Sequence, residues 1–128
     1  MSRIIARIML FSAVSLVAIS PAQAHETAKG PNGGPVVEVA GHHVEFVQSP
    51  TEITLYLTGD ANAPIASAGA KFKAIVQDSG KTSQLALGPV DPNKLVAKLP
   101  APLGPGSKVV VTGTLADGHS VQARFVAP

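Results

Sequence analysis

The sequence predicts an all-β protein, an immunoglobulin-like antiparallel β-sandwich of about eight short strands. From Pro35 onward apolar and polar residues alternate, a pattern typical of strands that bury one face. Turn residues recur at intervals of about eight to twelve positions, which favours a sandwich or barrel over alternating helices and strands. No segment predicts a helix, because the alanine-rich stretch 61–70 contains Pro64 and Gly69.

The first part of the chain has the plan of a secretory signal peptide. Arg3 and Arg7 precede a largely apolar run over residues 8–19, and Ala22-Gln23-Ala24 forms a small-x-small cleavage pattern. The run has about 12 residues, whereas a bilayer span needs about 20. We therefore expect residues 1–24 to be removed during export to the periplasm, which makes His25 the first residue.

The rest of the chain is predicted to be a flexible N-terminal segment, residues 25–34, followed by one β-sandwich domain, residues 35–128. Residues 25–34 lack apolar periodicity and end in Gly-Pro-Asn-Gly-Gly. Beyond residue 24, one arginine and seven lysines balance eight acidic residues, with no basic cluster and few aromatic residues. We expect no nucleic-acid partner and, because no later apolar stretch is long enough, no membrane insertion after cleavage.

The first hairpin of the domain is predicted in detail. Apolar and polar residues alternate on both sides of Ala40-Gly41, a pair that suits a two-residue turn. Such a turn places the apolar side chains of both strands on one face and the polar side chains on the other. The resulting pairs are Val39 with His42, Glu38 with His43, and Val37 with Val44.

Six later segments also predict strands, separated by prolines and by turn sequences such as Asp78-Ser79-Gly80 and Asp117-Gly118. They are TEITLYLTG (51–59), AKFKAIVQ (70–77), TSQLALG (82–88), KLVAKL (94–99), KVVVTGTL (108–115) and SVQARFVA (120–127).

The histidines are the residues that point to a metal site. The chain has no cysteine, and both methionines lie in the predicted signal peptide, so the ligands must be nitrogen and oxygen. An amino-terminal His25 would offer its amine and Nδ1, which close a six-membered chelate around one ion. An imidazole from His42 or His43 would complete a three-nitrogen set suited to Cu(II). Glu45, on the face of His43, would add an oxygen or orient the imidazole.

Other interpretations of the same residues are open. Glu38, His43 and Glu45 are also typical of a solvated strand face, and His119 is predicted to be an ordinary loop residue. The sequence contains no G-x-S-x-G, H-E-x-x-H or GxxxxGK[ST] motif, so we expect no enzyme.

Parts of the chain resemble the amino-terminal module of periplasmic adaptor subunits of heavy-metal efflux pumps, and small periplasmic proteins related to it. The similar stretches are HETAKGPNGGPVVEVAGHHVEFV, ITLYLTGDANAPI and LVAKLPAPLGPGSKVVVTGTLADGHSVQARF. The resemblance implies handling of a divalent metal near an efflux system, with His43 and Glu45 at the matching positions. The chain departs from the pattern, since its lead-in has one histidine and it lacks the adaptor's coiled-coil hairpin and barrel.

The sequence thus predicts a periplasmic protein that binds a divalent metal ion and passes it to metal efflux or resistance proteins. Cu(II) is favoured because affinity for nitrogen ligands peaks at copper, and Zn(II), Ni(II) and Co(II) are alternatives. The other hypothesis is a metal-free interaction module whose exposed strand edges meet a partner protein.

Overall fold

Nine antiparallel strands and one short 3-10 turn, Asp60–Asn62, make up the fold in a computed structural model that describes residues 28–128. The predicted signal peptide and His25 lie outside the described residues. The strands are β1 (Ala28–Lys29), β2 (Pro35–Val39), β3 (His42–Gln48), β4 (Glu52–Thr58), β5 (Lys71–Asp78), β6 (Lys81–Val90), β7 (Lys94–Lys98), β8 (Lys108–Thr114) and β9 (Ser120–Val126). Within residues 28–128, no helix has the length and apolar character to cross a membrane.

The strands form one curled sheet in the order β1-β2-β3-β4-β7-β6-β5-β8-β9. Strand β6 joins the two halves of this sheet, because residues 81–87 pair with β5 and residues 88–90 pair with β7. The halves curl toward each other until β2 contacts β9 without pairing with it. The predicted all-β, antiparallel class is confirmed, but the sheet is a half-barrel and the immunoglobulin-like sandwich is not confirmed.

The apolar core lies inside the curl and holds its two halves together. Phe46 on β3 stacks on Phe125 on β9, with ring centroids 5.0 Å apart, and both side chains are buried. Burying a phenylalanine side chain contributes about 1.5–3 kcal/mol. Since β3 and β9 are far apart in the strand order, this stacking stabilises the curvature as well as the individual strands.

The hairpin of β2 and β3 has the predicted register. Val39 pairs with His42, Glu38 with His43, and Val37 with Val44. Ala40 and Gly41 both have positive φ, 50° and 80°, as a type I′ turn requires. The prediction is confirmed because the turn type and the apolar alternation select the same pairing.

The segment that precedes β2 is held against the sheet by its pairing with β2, which the sequence pattern did not predict. Ala28 pairs with Val36 and Lys29 with Pro35, so part of the expected flexible segment forms an edge strand. Gly34 is buried against β3, where a Cβ would overlap the carbonyl oxygen of Phe46. Residues 28–34 therefore belong to the folded domain.

Asp78, at the end of β5, connects its hairpin to a distant loop and leads to a pH-dependent prediction. Its carboxylate accepts hydrogen bonds from the Gly104 amide and the Ser79 hydroxyl, both at 3.1 Å. The Gly104 amide, followed by the Ser79 hydroxyl, lowers the pKa of Asp78 below its ordinary value. The ionised form is thus favoured by folding. Its stabilising effect is present above the pKa of the unfolded chain and is lost as pH falls through the folded-state pKa.

We therefore expect Asp78→Asn to lower the thermal midpoint at pH 7, with the difference from wild type vanishing in strong acid. Circular dichroism melts across the pH range measure this. Glu52→Gln is the matched control, because the Glu52 carboxylate accepts no hydrogen bond from residues 28–128. A midpoint difference for Asp78→Asn that persisted unchanged at low pH would contradict the expectation.

Candidate metal centre

Two hairpin turns from opposite ends of the strand order meet where the sheet curls. His42 is the first residue of β3, and Asp117 and His119 belong to the turn between β8 and β9. One ligand atom from each of these residues lies within 4.8 Å of the other two. The imidazole rings of His42 and His119 have centroids 5.4 Å apart and are tilted by 48°. These three residues are named the turn cluster.

The turn that carries Asp117 and His119 is fixed by its own hydrogen bonds. The Gly118 amide donates to the Leu115 carbonyl and the Leu115 amide donates to the His119 carbonyl, each at 2.9 Å. Gly118 has a φ of 91°, a conformation that glycine adopts without a steric penalty. The His119 amide donates to Asp117 Oδ1 at 3.0 Å, and this bond positions the carboxylate beside the imidazole.

The charge of Asp117 and the tautomer of His42 both favour the binding of a cation at the turn cluster. Hydrogen bonds from the His119 amide and imidazole lower the pKa of Asp117, so its carboxylate stays ionised at neutral pH. Asp117 Oδ2 lies 2.8 Å from His119 Nδ1, the carboxylate–histidine pairing that orients imidazoles in metal sites. His42 Nδ1 lies 3.1 Å from the Ala40 carbonyl, which accepts only, so Nδ1 carries a hydrogen and, in the neutral ring, Nε2 is the nitrogen with the lone pair.

The spacing of the cluster is close to that of ligands around one ion. At metal–ligand distances of about 2.0–2.2 Å, ligand atoms lie about 3.3–3.6 Å apart in a tetrahedron and about 4.0–4.4 Å apart when trans. The side chains of Asp117 and His119 are 52% and 61% exposed, so they have room to rotate toward an ion. Two imidazole nitrogens and a carboxylate oxygen can therefore be brought around one divalent cation by side-chain movement alone.

His43 does not join the turn cluster. Successive residues of a strand point to opposite faces, so His42 and His43 diverge from neighbouring positions of β3. His43 Nδ1 lies 3.2 Å from the Gly59 carbonyl, and its Nε2 lies 3.6 Å from the Glu38 carboxylate. The structure thus separates the two histidines that the sequence offered as alternative ligands.

Glu45 is engaged with the segment that precedes β2. Its carboxylate is buried, with the residue only 3% exposed. It accepts hydrogen bonds from the Asn32 amide at 2.9 Å, the Asn32 side chain at 3.1 Å and the Gly34 amide at 2.9 Å. These bonds use the oxygens that we expected to face a metal, and they assign Glu45 to holding residues 30–34 on the sheet.

Two residues of the turn cluster were not predicted from the sequence to be metal ligands. His119 was predicted to be a plain loop residue, and Asp117 was predicted only as part of a turn. The available signal was local: Asp117 and His119 flank a glycine, a spacing that lets an aspartate bind the following amide and imidazole. The approach of His42, in contrast, depends on how the sheet curls. His25, the remaining predicted ligand, lies outside the described residues.

Comparisons with protein-family models, curated proteins and solved structures found no match. The resemblance to efflux adaptor modules therefore stays a prediction.

Proposed function

We propose that this protein binds one divalent transition-metal ion at the turn cluster, with Cu(II) favoured and Zn(II), Ni(II) or Co(II) as alternatives. The observation that carries the proposal is the meeting of His42, Asp117 and His119, from two separate hairpins, within 4.8 Å. Imidazole and carboxylate ligands suit divalent ions, and the absence of thiolate and thioether ligands in the cluster disfavours Cu(I). Copper is placed first because affinity for nitrogen ligands peaks there.

The exposure of the cluster supports a carrier. Structural zinc sites are closed by four protein ligands, whereas sites that exchange a ligand keep a position open. Three ligands at the surface leave room for water or for a donor from another protein. We propose that the ion is passed to metal efflux or resistance proteins in the periplasm, as the resemblance to efflux adaptor modules implies, and that the protein catalyses no reaction.

The direction of β1 supports His25 as an additional ligand. Ala28 pairs with Val36 and Lys29 with Pro35, so the amino end of β1 is directed toward the Val39 end of β2. Val39 pairs with His42, a member of the turn cluster. His25 precedes Ala28 by only three positions in the sequence. If cleavage follows Ala24, its amine and Nδ1 would add two nitrogens to the same ion.

Ligand substitutions test the proposal. We expect wild-type protein, purified after export and with its amino terminus determined by mass spectrometry, to bind one Cu(II) or Zn(II) per chain in calorimetric titration. His42→Ala and His119→Ala are each expected to weaken the affinity by about 100-fold or more, since even residues behind the ligands contribute about 10–100-fold.

His43→Ala is the matched control, because it removes a neighbouring imidazole of β3 that points away from the cluster. Its affinity is expected to equal that of wild type. One residue added before His25 isolates the contribution of the amino terminus. Equal affinities in all five proteins would refute the metal proposal and favour the metal-free interaction module, which the sequence left as the alternative.

A further inference from the structure

The charged residues on the outer face of strands β5, β8 and β9 are all cationic. Lys71 and Lys73 on β5, Lys108 on β8 and Arg124 on β9 are exposed and alternate with buried residues, so they point away from the core. These four residues are named the cationic face. Strands β5, β6, β8 and β9 contain one acidic residue, Asp78, which lies at the end of β5 and follows the opposite alternation.

The cations of this face have no anionic partner within the described part of the chain. Both ion pairs found in residues 28–128 are between a histidine and a carboxylate, and neither includes a lysine or an arginine. Cations that share one surface repel one another, and an external anion relieves that repulsion. The cationic face therefore has the electrostatic character of a surface that attracts a negatively charged partner.

A shallow groove of about 530 Å³ lies beside Lys108 and Arg124, and its other lining residues are apolar except for Gln77 and Thr82. Ile75 and Val110 pair across β5 and β8 and form its floor, while the longer Lys108 and Arg124 side chains line its rim. Val126, 61% exposed, pairs with Lys108 at one end of the groove. Lysine and arginine stems extend beyond shorter apolar residues and keep their charged ends outermost. The groove thus combines an apolar floor with a cationic rim.

We propose that the cationic face docks on the surface of a membrane containing anionic phospholipids. Along β5, Lys71 is six residues from Gln77, the partner of Lys108, so the charges are spread over about 20 Å. None of the four side chains is held in place by a hydrogen bond or ion pair from the described residues. A dispersed and adjustable set of cations suits mobile lipid headgroups better than a protein partner, whose carboxylates occupy fixed positions. In this docking, exposed Val126 and the groove would face the membrane together with the cations.

Vesicle sedimentation with the exported full-length protein tests this docking. We expect binding to phosphatidylglycerol–phosphatidylcholine vesicles, release by high salt, and no binding to pure phosphatidylcholine vesicles. Each cation near an anionic surface strengthens partitioning by about fivefold, so Lys73→Glu combined with Lys108→Glu is expected to weaken it by about 25-fold or more.

The control is Lys29→Glu combined with Lys98→Glu, which changes the net charge equally at exposed positions on β1 and β7. This control is expected to keep most of the binding, and thermal melts verify that both double variants are folded. The proposal would be overturned if both double variants lost binding equally or if wild type did not bind anionic vesicles. It would also be overturned if wild type bound neutral and anionic vesicles equally. Capture of polyglutamate without vesicle binding would also overturn it and assign the cationic face to an acidic protein. None of these measurements depends on metal affinity, so they test the docking separately from the metal site.

Discussion

Saturation with Zn(II) or Cu(II) is expected to raise the free energy of unfolding by about 2.7 kcal/mol when the free ion is at 100 times its Kd. The reason is that His42 lies in one hairpin turn and Asp117 and His119 in another, so only the folded chain brings the ligands together. Denaturant unfolding with and without metal, monitored by circular dichroism, measures the change. The chelator-treated protein gives the baseline.

The same measurement on variants separates the turn cluster from unspecific binding. At the same free-ion concentration, His119→Ala is expected to reduce the metal-induced gain to about 0.4 kcal/mol or less, while His43→Ala keeps it in full. A gain of equal size in His119→Ala would contradict the assignment of the site. Destabilisation of wild type by metal would contradict it too, since the ion would then prefer histidines of the unfolded chain.

Glu45→Ala is expected to lower the free energy of unfolding by about 3 kcal/mol, because hydrogen bonds to charged groups are worth about 1.5–3 kcal/mol each and some lost donors turn to water. The substitution removes the buried acceptor of the Asn32 and Gly34 amides and of the Asn32 side chain. Denaturant unfolding measures the loss. Hydrogen exchange should show the Gly34 amide losing its protection.

Glu38→Ala is the control for this prediction, because Glu38 is an acidic residue of the neighbouring strand whose side chain is 68% exposed. Its effect is expected to stay within about 0.5 kcal/mol, as at most surface positions. When one residue is added before His25, so that the amino terminus does not contribute, the metal affinity of folded Glu45→Ala should match that of the equally extended parent protein. Weakened metal binding without a loss of stability would instead return Glu45 to the role that the sequence suggested.

The features that the sequence predicted correctly are those set by neighbouring residues. The Ala40-Gly41 turn and the alternation around it were sufficient to give the register of the first hairpin. The same register already places His42 and His43 on opposite faces of β3, so their divergence was available from the sequence. Polar alternation alone did not distinguish an exposed Glu38 from a buried Glu45, since burial depends on a segment folding over the strand.

The features that escaped prediction depend on contacts between distant parts of the chain. The strand order and the curl determine that the β2–β3 turn meets the β8–β9 turn, and no local pattern encodes that meeting. His119 was therefore indistinguishable from an ordinary turn residue. The strand Ala28–Lys29 is likewise defined by its pairing with β2, because two residues carry no periodicity of their own.

The position of the turn cluster also gives a bound ion the topology of a removable cross-link. Between His42 and Asp117 it would close a loop of 117 − 42 = 75 residues. A disulfide across such a loop raises the free energy of unfolding by about 4.5 kcal/mol, because it lowers the entropy of the unfolded chain. This chain has no cysteine with which to form one. Unlike a covalent bridge, the proposed ion would leave when an acceptor took it. The protein would then be less stable after it delivers the ion, and the metal-free form would be more susceptible to proteolysis.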